Sequence, residues 1–355
     1  MISNKENKKN SRYKHVIWAC ISLLLAIFTI NTVLKQSRTV SMQDLAEALS
    51  YSKKRYLIPA VISAALYVWF EGLAIRSILK GAGHKCRYRD GLIFSTSDIF
   101  FSAITPSATG GQPVSAFFMY RSGISAGVVS AVLVLNIMMY TLSAIILGIF
   151  SICVRPDVFW GFGTLSKVLI IAGLAVLIIL SLMFLSMLKK GNVVFSMLSR
   201  FILFLNRKGL IRKPEPKLAR IERISGDYEK CSALIGGNGS IMLYTLLLNL
   251  LQRVAQIIVP MLIYLSLGGD RRNSFVIFAK QCLITIGCNF VPIPGAMGIS
   301  DYLMIDGFTE LMGWETAFST EMISRGITFY ICVAVCGLIT LIGYLAGRKK
   351  NDRSL

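Results

Sequence analysis

Charge is scarce in this chain. Only 16% of its 355 residues are charged, and acidic residues are rarer still, 18 Asp and Glu against 38 Lys and Arg. With 54% hydrophobic residues and a mean hydropathy of +0.63, that shortage excludes an ordinary soluble domain and points to an integral membrane protein. Histidine is nearly missing: His15 and His84 both flank apolar runs, which argues against a histidine-based metal centre. The eight cysteines form no CxxC pair, and Cys20, Cys282, Cys288, Cys332 and Cys336 lie within apolar runs, where Cys behaves as a small hydrophobe. HExxH, P-loop and Rossmann fingerprints are all lacking, so hydrolysis and nucleotide-driven pumping find no support and no cofactor is called for. The GISAG run at 123–127 formally matches GxSxG, but it has neither a strand–turn–helix setting nor a placed His partner.

The net charge of +20 would suit nucleic acid, yet the basic residues sit in blocks between apolar runs. The positive-inside bias and anionic headgroups put them there, so no nucleic-acid partner is expected. Full-length apolar runs occupy 16–34, 57–79, 127–150, 165–188, 240–267 and 321–346, six candidate spans. A basic N-terminus (1–15) and a basic tail (347–355) flank a membrane domain over 16–346.

Two further apolar segments, 91–119 and 274–312, are interrupted by TPSATGGQP (105–113) and VPIPGAMGISD (291–301). Proline removes a backbone donor and glycine loosens a helix, so each cluster should break its segment. Broken backbone at membrane depth is tolerated only where protein buries it or where it lines a cavity. A matched pair of breaks, one per half, also points to a transporter's substrate site. The loop at 189–239 carries eleven Lys and Arg and belongs in the cytoplasm. That holds if both interrupted segments are re-entrant, the first from the cytoplasmic face and the second from the outer face. Both termini are then cytoplasmic, and Arg38, Lys53, Lys54 and Arg55 fall outside. The expected architecture is an all-α polytopic membrane protein with six spanning helices and two oppositely oriented re-entrant hairpins, like an inverted repeat. Within 189–239, residues 192–205 are apolar but too short to cross, which predicts an interfacial helix, and 208–230 form a charged helix.

Ionisable groups inside spans are costly and therefore functional candidates. Glu71 and Arg76 share the second span; Arg253, flanked by Gln252 and Gln256, is central to the fifth; Arg325 lies in the last. Lys280 enters the second hairpin, Asp98 precedes the first break and Asp301 follows the second. The plain reading is that these groups pair and lock helices, with Arg76 and Lys280 snorkelling to the interface. The functional reading makes Arg253 and Arg325 a fork for phosphate, helped by half-helix N-termini, with Glu71 and Asp301 as counter-ions or proton carriers. Gly110, Gly111, Gly295 and Gly298 suit tight hairpin tips under either reading.

Pro106, Gly110-Gly111-Gln112-Pro113 and Tyr120-Arg121-Ser122-Gly123 together resemble the first signature of the lysylphosphatidylglycerol synthase transmembrane region, or flippase-like domain, family. Pro292-Ile293-Pro294-Gly295-Ala296-Met297-Gly298 with Asp301 is similar to its second signature, and Arg325, twelve residues before Gly337, resembles the Arg of its last span. The likeness covers residues 15–346. Departures are Gln112 where an acidic residue is frequent, Ser115 where a basic one is common, Ala296 for Gly and Asp301 for Glu. These bear on headgroup preference more than on fold. The resemblance implies a bacterial inner-membrane protein that moves lipids between leaflets, and it adds Arg121 and the tip residues Pro106, Gln112, Pro292 and Pro294 to the substrate-binding set. Expected partners are phosphatidylglycerol, its lysyl derivative or a polyprenyl phosphate, and a separate synthetase or a second copy. Full-length family members carry a soluble domain that transfers lysine from lysyl-tRNA to phosphatidylglycerol, a route to resistance against cationic antimicrobial peptides. Here no soluble region is large enough to bind an aminoacyl-tRNA, so lysyltransferase activity is not expected of this chain alone.

Overall fold

The structure, a computed structural model, describes residues 47, 49–105, 108–189, 191–208, 214–289 and 298–352. The expected first span at 16–34 lies outside them. All regular structure among the described residues is helical. Five helices are long and apolar enough to cross a membrane: α1 (Lys54–Gly81), α4 (Ala126–Val154), α6 (Thr164–Lys189), α9 (Gly239–Ser266) and the continuous stretch from Trp314 to Ala346. That last run consists of α12 (Trp314–Arg325), a π-helical turn (Gly326–Ile331) and α13 (Cys332–Asp352). It begins at Trp314, seven residues before the expected 321, because WETAF continues the helix, with Ala317 buried and Trp314 stacked on Phe318. At about 1.5 Å per residue, α1 and α9 each run ~42 Å, enough to cross with some tilt.

Both interrupted segments are helix–break–helix hairpins, as the proline and glycine clusters require. The first pairs α2 (Tyr88–Ile104) with α3 (Gly111–Arg121); the second pairs α10 (Ser274–Cys288) with α11 (Ile299–Met312). Each arm falls short of the ~20 residues a spanning helix needs. The connector between α4 and α6 holds a single turn, α5 (Asp157–Trp160), and α7 (Gly191–Arg207) and α8 (Glu215–Gly236) form the elbow between α6 and α9.

Contacts fix the ends at which the hairpins open. Gly81 at the close of α1 faces Ile241 at the start of α9, and the α4 start at Gly127 packs on Ile224 and Tyr228 of α8. Arg121, ending the first hairpin, stacks over Tyr344 near the end of α13, with the guanidinium carbon 4.9 Å from the ring centroid. At the opposite end the Lys53 amide donates to Ser266 O at 2.8 Å, Ser151 Oγ donates to Ala279 O at 2.8 Å, and Lys280 of α10 pairs with Glu310 of α11 at 3.2 Å. The first hairpin therefore opens at the α8 end and the second at the other.

Small residues allow the close crossings. A Cβ on Gly91 would lie 2.6 Å from the Gly72 carbonyl oxygen, so α1 and α2 meet backbone to backbone, and Ser95 Oγ donates to Val68 O at 3.1 Å. Ala60 and Ala64 let α1 lie on Val259 and Ile263 of α9. By contrast α6 and α13 keep exposed rows such as Leu165, Val168, Ile171 and Ile179, and Leu338, Leu341 and Leu345, the surface a lipid-facing helix presents.

Both segments of the elbow are helical, as expected. α7 exposes Met197, Leu198, Phe201 and Phe204, while Phe195 meets Tyr228 edge-on with centroids 5.4 Å apart. Tyr228 donates to Met187 O at 3.0 Å and Ser232 to Leu188 O at 2.7 Å, which ties α8 beneath α6. Burial there pushes the Tyr228 phenol up to about 12 and the Cys231 thiol up to about 11.

Candidate functional site

The second hairpin stands over a cavity of about 220 Å³ enclosed by α4, α9, both hairpin arms and the α12–π-turn segment. Arg253 and Arg325 both line it, so the two arginines singled out by sequence share one space. Their surroundings differ.

Arg325 is engaged by two carboxylates and a hydroxyl. Its Nε donates to Glu321 Oε1 at 2.8 Å, one turn earlier on α12, and its Nη2 donates to Ser300 Oγ at 2.6 Å and pairs with Asp301. Asp301 in turn accepts the Gly298 N–H at 3.0 Å, closing the first turn of α11. Gly298 has φ +82, a backbone conformation that glycine adopts readily, and a Cβ there would meet no neighbour among the described residues. Arg325 thus fastens the re-entry of the second hairpin to the last span.

Arg253 is only 1% exposed and meets no carboxylate within ion-pair distance among the described residues. Its Nη1 donates to Gln256 Oε1 at 3.0 Å and its guanidinium lies over the Tyr140 ring, 3.4 Å from the centroid. Such stacking is worth ~2 kcal/mol when desolvated. Nε and Nη2 find no acceptor among the described residues. A buried guanidinium with two idle N–H groups is a costly arrangement unless an anion completes it. Gln281 across the cavity has an equally idle acceptor, Oε1. Pro260, one turn beyond Gln256, also lines the cavity and lacks the N–H that a regular helix would offer the Gln256 carbonyl.

At the first hairpin Asp98, 5% exposed, accepts from Ser102 Oγ at 3.1 Å and from Gln112 Nε2 at 2.5 Å. Gly111 must be glycine here, since a Cβ would run into the Asp98 carboxylate and the Ser102 hydroxyl. The Gly110 N–H donates to Thr105 Oγ1 at 2.8 Å. Glu71, 7% exposed, accepts from Gln252 Nε2 at 3.2 Å, so Gln252 and Arg253 on α9 reach the first hairpin's neighbourhood and the cavity respectively.

The sequence-predicted residues thus separate. Arg253 and Arg325 line the cavity; Asp301 and Gly298 sit at its edge on the second hairpin; Glu71, Gly110, Gly111 and Gln112 gather at the first. Arg121 lies at the mouth of the first hairpin on Tyr344 and does not enter the cavity. Pro106, Pro292, Pro294 and Gly295 lie outside the described residues. Snorkelling describes Lys280 in part: it is 2% exposed, yet its amine reaches Glu310, which is 65% exposed. Arg76 lies over Tyr88 at 3.7 Å and donates to Cys86 O at 3.1 Å.

Sequence reasoning passed over Glu321, Tyr140, Gln281 and the π-helical turn that brings Thr328 and Phe329 into the wall. Glu321 carried a signal, a carboxylate one turn before Arg325. The others did not stand out from their apolar runs. Among the described residues no group of three His, Cys, Asp or Glu could hold a metal ion. The arrangement offers guanidinium donors to an anion and has room for a small polar group.

No curated protein matches the chain. The family described as lysylphosphatidylglycerol synthase TM region matches residues 16–336, a span that takes in both hairpins, the elbow and every cavity-lining residue. With five membrane-length apolar helices among its described residues and nine-tenths of its sequence matched, the chain is a multi-pass membrane protein that belongs to the lysylphosphatidylglycerol synthase TM region family.

Proposed function

We propose that the protein moves a phospholipid with an anionic or aminoacylated headgroup between the leaflets of a bacterial inner membrane. The observation that carries this reading is Arg253, which lines a cavity beside a broken hairpin, is buried and stacked on Tyr140, and has two N–H donors with no acceptor among the described residues. A phosphodiester oxygen would accept both donors in the bidentate geometry guanidinium favours. The unused acceptor on Gln281 would take a hydroxyl or ammonium of the same headgroup. Ligand pockets for drug-sized molecules run from roughly 300 Å³ upward. A cavity of about 220 Å³ therefore holds a headgroup and leaves the acyl chains in the bilayer. Two hairpins opening at opposite ends supply the elements that alternating access needs. The basic elbow helices and both termini would face the cytoplasm.

The test is leaflet exchange in proteoliposomes, using fluorescent phosphatidylglycerol and its lysyl derivative with a membrane-impermeant quencher. Exchange above protein-free vesicles is the expected result. No exchange with either lipid or with a polyprenyl phosphate would overturn the reading. The family description favours a second role, as the membrane part of lysyl-lipid synthesis. Lysyl-phosphatidylglycerol formed by the purified chain with charged tRNA would support that role instead.

A further inference from the structure

Glu71 lies within electrostatic range of both Asp98 and Arg253 where α1, α2 and α9 meet, and all three are at least nine-tenths buried. One cation faces two carboxylates. A low-dielectric site does not hold the surplus negative charge cheaply, and two neighbouring carboxylates relieve it when one of them keeps a proton.

The hydrogen bonds say which one. Asp98 has the supports of an ionised carboxylate: the Ser102 hydroxyl, the Gln112 amide and the N-terminal residue of α3 pressed against it. Glu71 has one donor, Gln252 Nε2 at 3.2 Å. The same Gln252 amide is 1% exposed, and its Oε1 has no partner among the described residues. A carboxylate can only accept hydrogen bonds, whereas a carboxylic acid also donates. A proton on Glu71 would therefore meet that idle carbonyl oxygen while Glu71 Oε2 keeps the amide N–H, a paired acid–amide contact. Tyr67 on its own helix, Tyr140 on α4, and Cys332 and Cys336 on α13 also face Glu71, and none brings a cation.

We propose that Glu71 is a proton-binding site, with Asp98 as its charged neighbour and Gln252 as the partner that reads its protonation. The proton ties the first hairpin to the cavity, because Gln252 and Arg253 are adjacent on α9. An anion arriving at Arg253 cancels the positive charge that otherwise favours an ionised Glu71, so anion and proton bind together and each strengthens the other by the same factor. This last step rests on the headgroup reading of the cavity; the proton site does not.

The experiment is a pH titration by infrared difference spectroscopy on the full chain in phosphatidylcholine nanodiscs. The expected result is a deuterium-sensitive carboxylic-acid C=O band at neutral pH that Glu71→Gln removes. In Asp98→Asn, which takes away the neighbouring negative charge, the band should disappear about one pH unit lower. No such band in the wild type, or a band undiminished in Glu71→Gln, would overturn the site. Should Glu71→Gln fail to fold, an unchanged titration in Asp98→Asn overturns it equally. Adding phosphatidylglycerol to the nanodiscs should extend the band to higher pH by about one unit. A band that persists but ignores the added lipid counts against an anion at Arg253 and leaves the proton site standing.

Discussion

The two hairpins break alike and are closed differently. In the second, the carboxylate at the break meets a cation: Asp301 pairs with Arg325, which also holds Glu321 and Ser300. In the first, the carboxylate at the break meets only neutral groups, the Gln112 amide and the Ser102 hydroxyl. Arg253, within electrostatic range of Glu71 on α1, turns toward Tyr140 and the cavity instead. An ion pair fixes one hairpin to the last span, while the other is held by hydrogen bonds that can be exchanged at lower cost. The difference teaches that two buried arginines of similar sequence setting need not share a role. Arg325 pairs with carboxylates at the cavity wall, whereas Arg253 keeps two N–H donors without an acceptor among the described residues.

Removing each arginine should break this comparison most sharply. Arg325→Ala strands Asp301 and Glu321 and should destabilise the protein by about 3 kcal/mol, read as a lowered unfolding midpoint in detergent. Arg253→Gln breaks no direct ion pair among the described residues and should stay within about 1 kcal/mol of wild type. Equal destabilisation by both would erase the distinction. Next in size, Gly111→Ala drives a methyl group into Asp98 and Ser102 and should cost about 2 kcal/mol. At the other hairpin Gly298→Ala meets no neighbour and should cost only ~1 kcal/mol, through its left-handed backbone. Gln112→Ala removes a hydrogen bond to a charged acceptor and should cost about 1.5 kcal/mol, measured in the same unfolding assay. The smallest effect belongs to Arg121→Gln, whose stacking on exposed Tyr344 is worth about 0.5 kcal/mol and whose lipid exchange should match wild type.

Much of the architecture was legible in the sequence. Apolar run length placed α1, α4, α6 and α9 within a few residues of their ends, because hydrocarbon thickness and helix rise leave little freedom. The Pro/Gly clusters marked both hairpins, since backbone chemistry breaks a helix wherever they fall. Arg253 and Arg325 were visible as buried charges. Their division of labour was not, because it depends on which carboxylate a neighbouring helix delivers. Arg121 looked alike by motif but lies at the hairpin mouth, a consequence of where α13 ends. Tyr140, Gln252 and Gln281 acquire meaning only through packing: a Tyr or Gln in an apolar run carries no sequence mark of whether its polar atoms find partners. The π-helical turn likewise follows from tertiary fit and not from any residue that forbids an α-turn.

The most direct measurement compares leaflet exchange of fluorescent phosphatidylglycerol by the wild type, Arg253→Gln and Arg121→Gln, each shown to be folded, in proteoliposomes at equal protein density. The account predicts exchange by the wild type and by Arg121→Gln, and a fall of at least about tenfold, to the level of protein-free vesicles, for Arg253→Gln. Exchange by Arg253→Gln at the wild-type rate would contradict it.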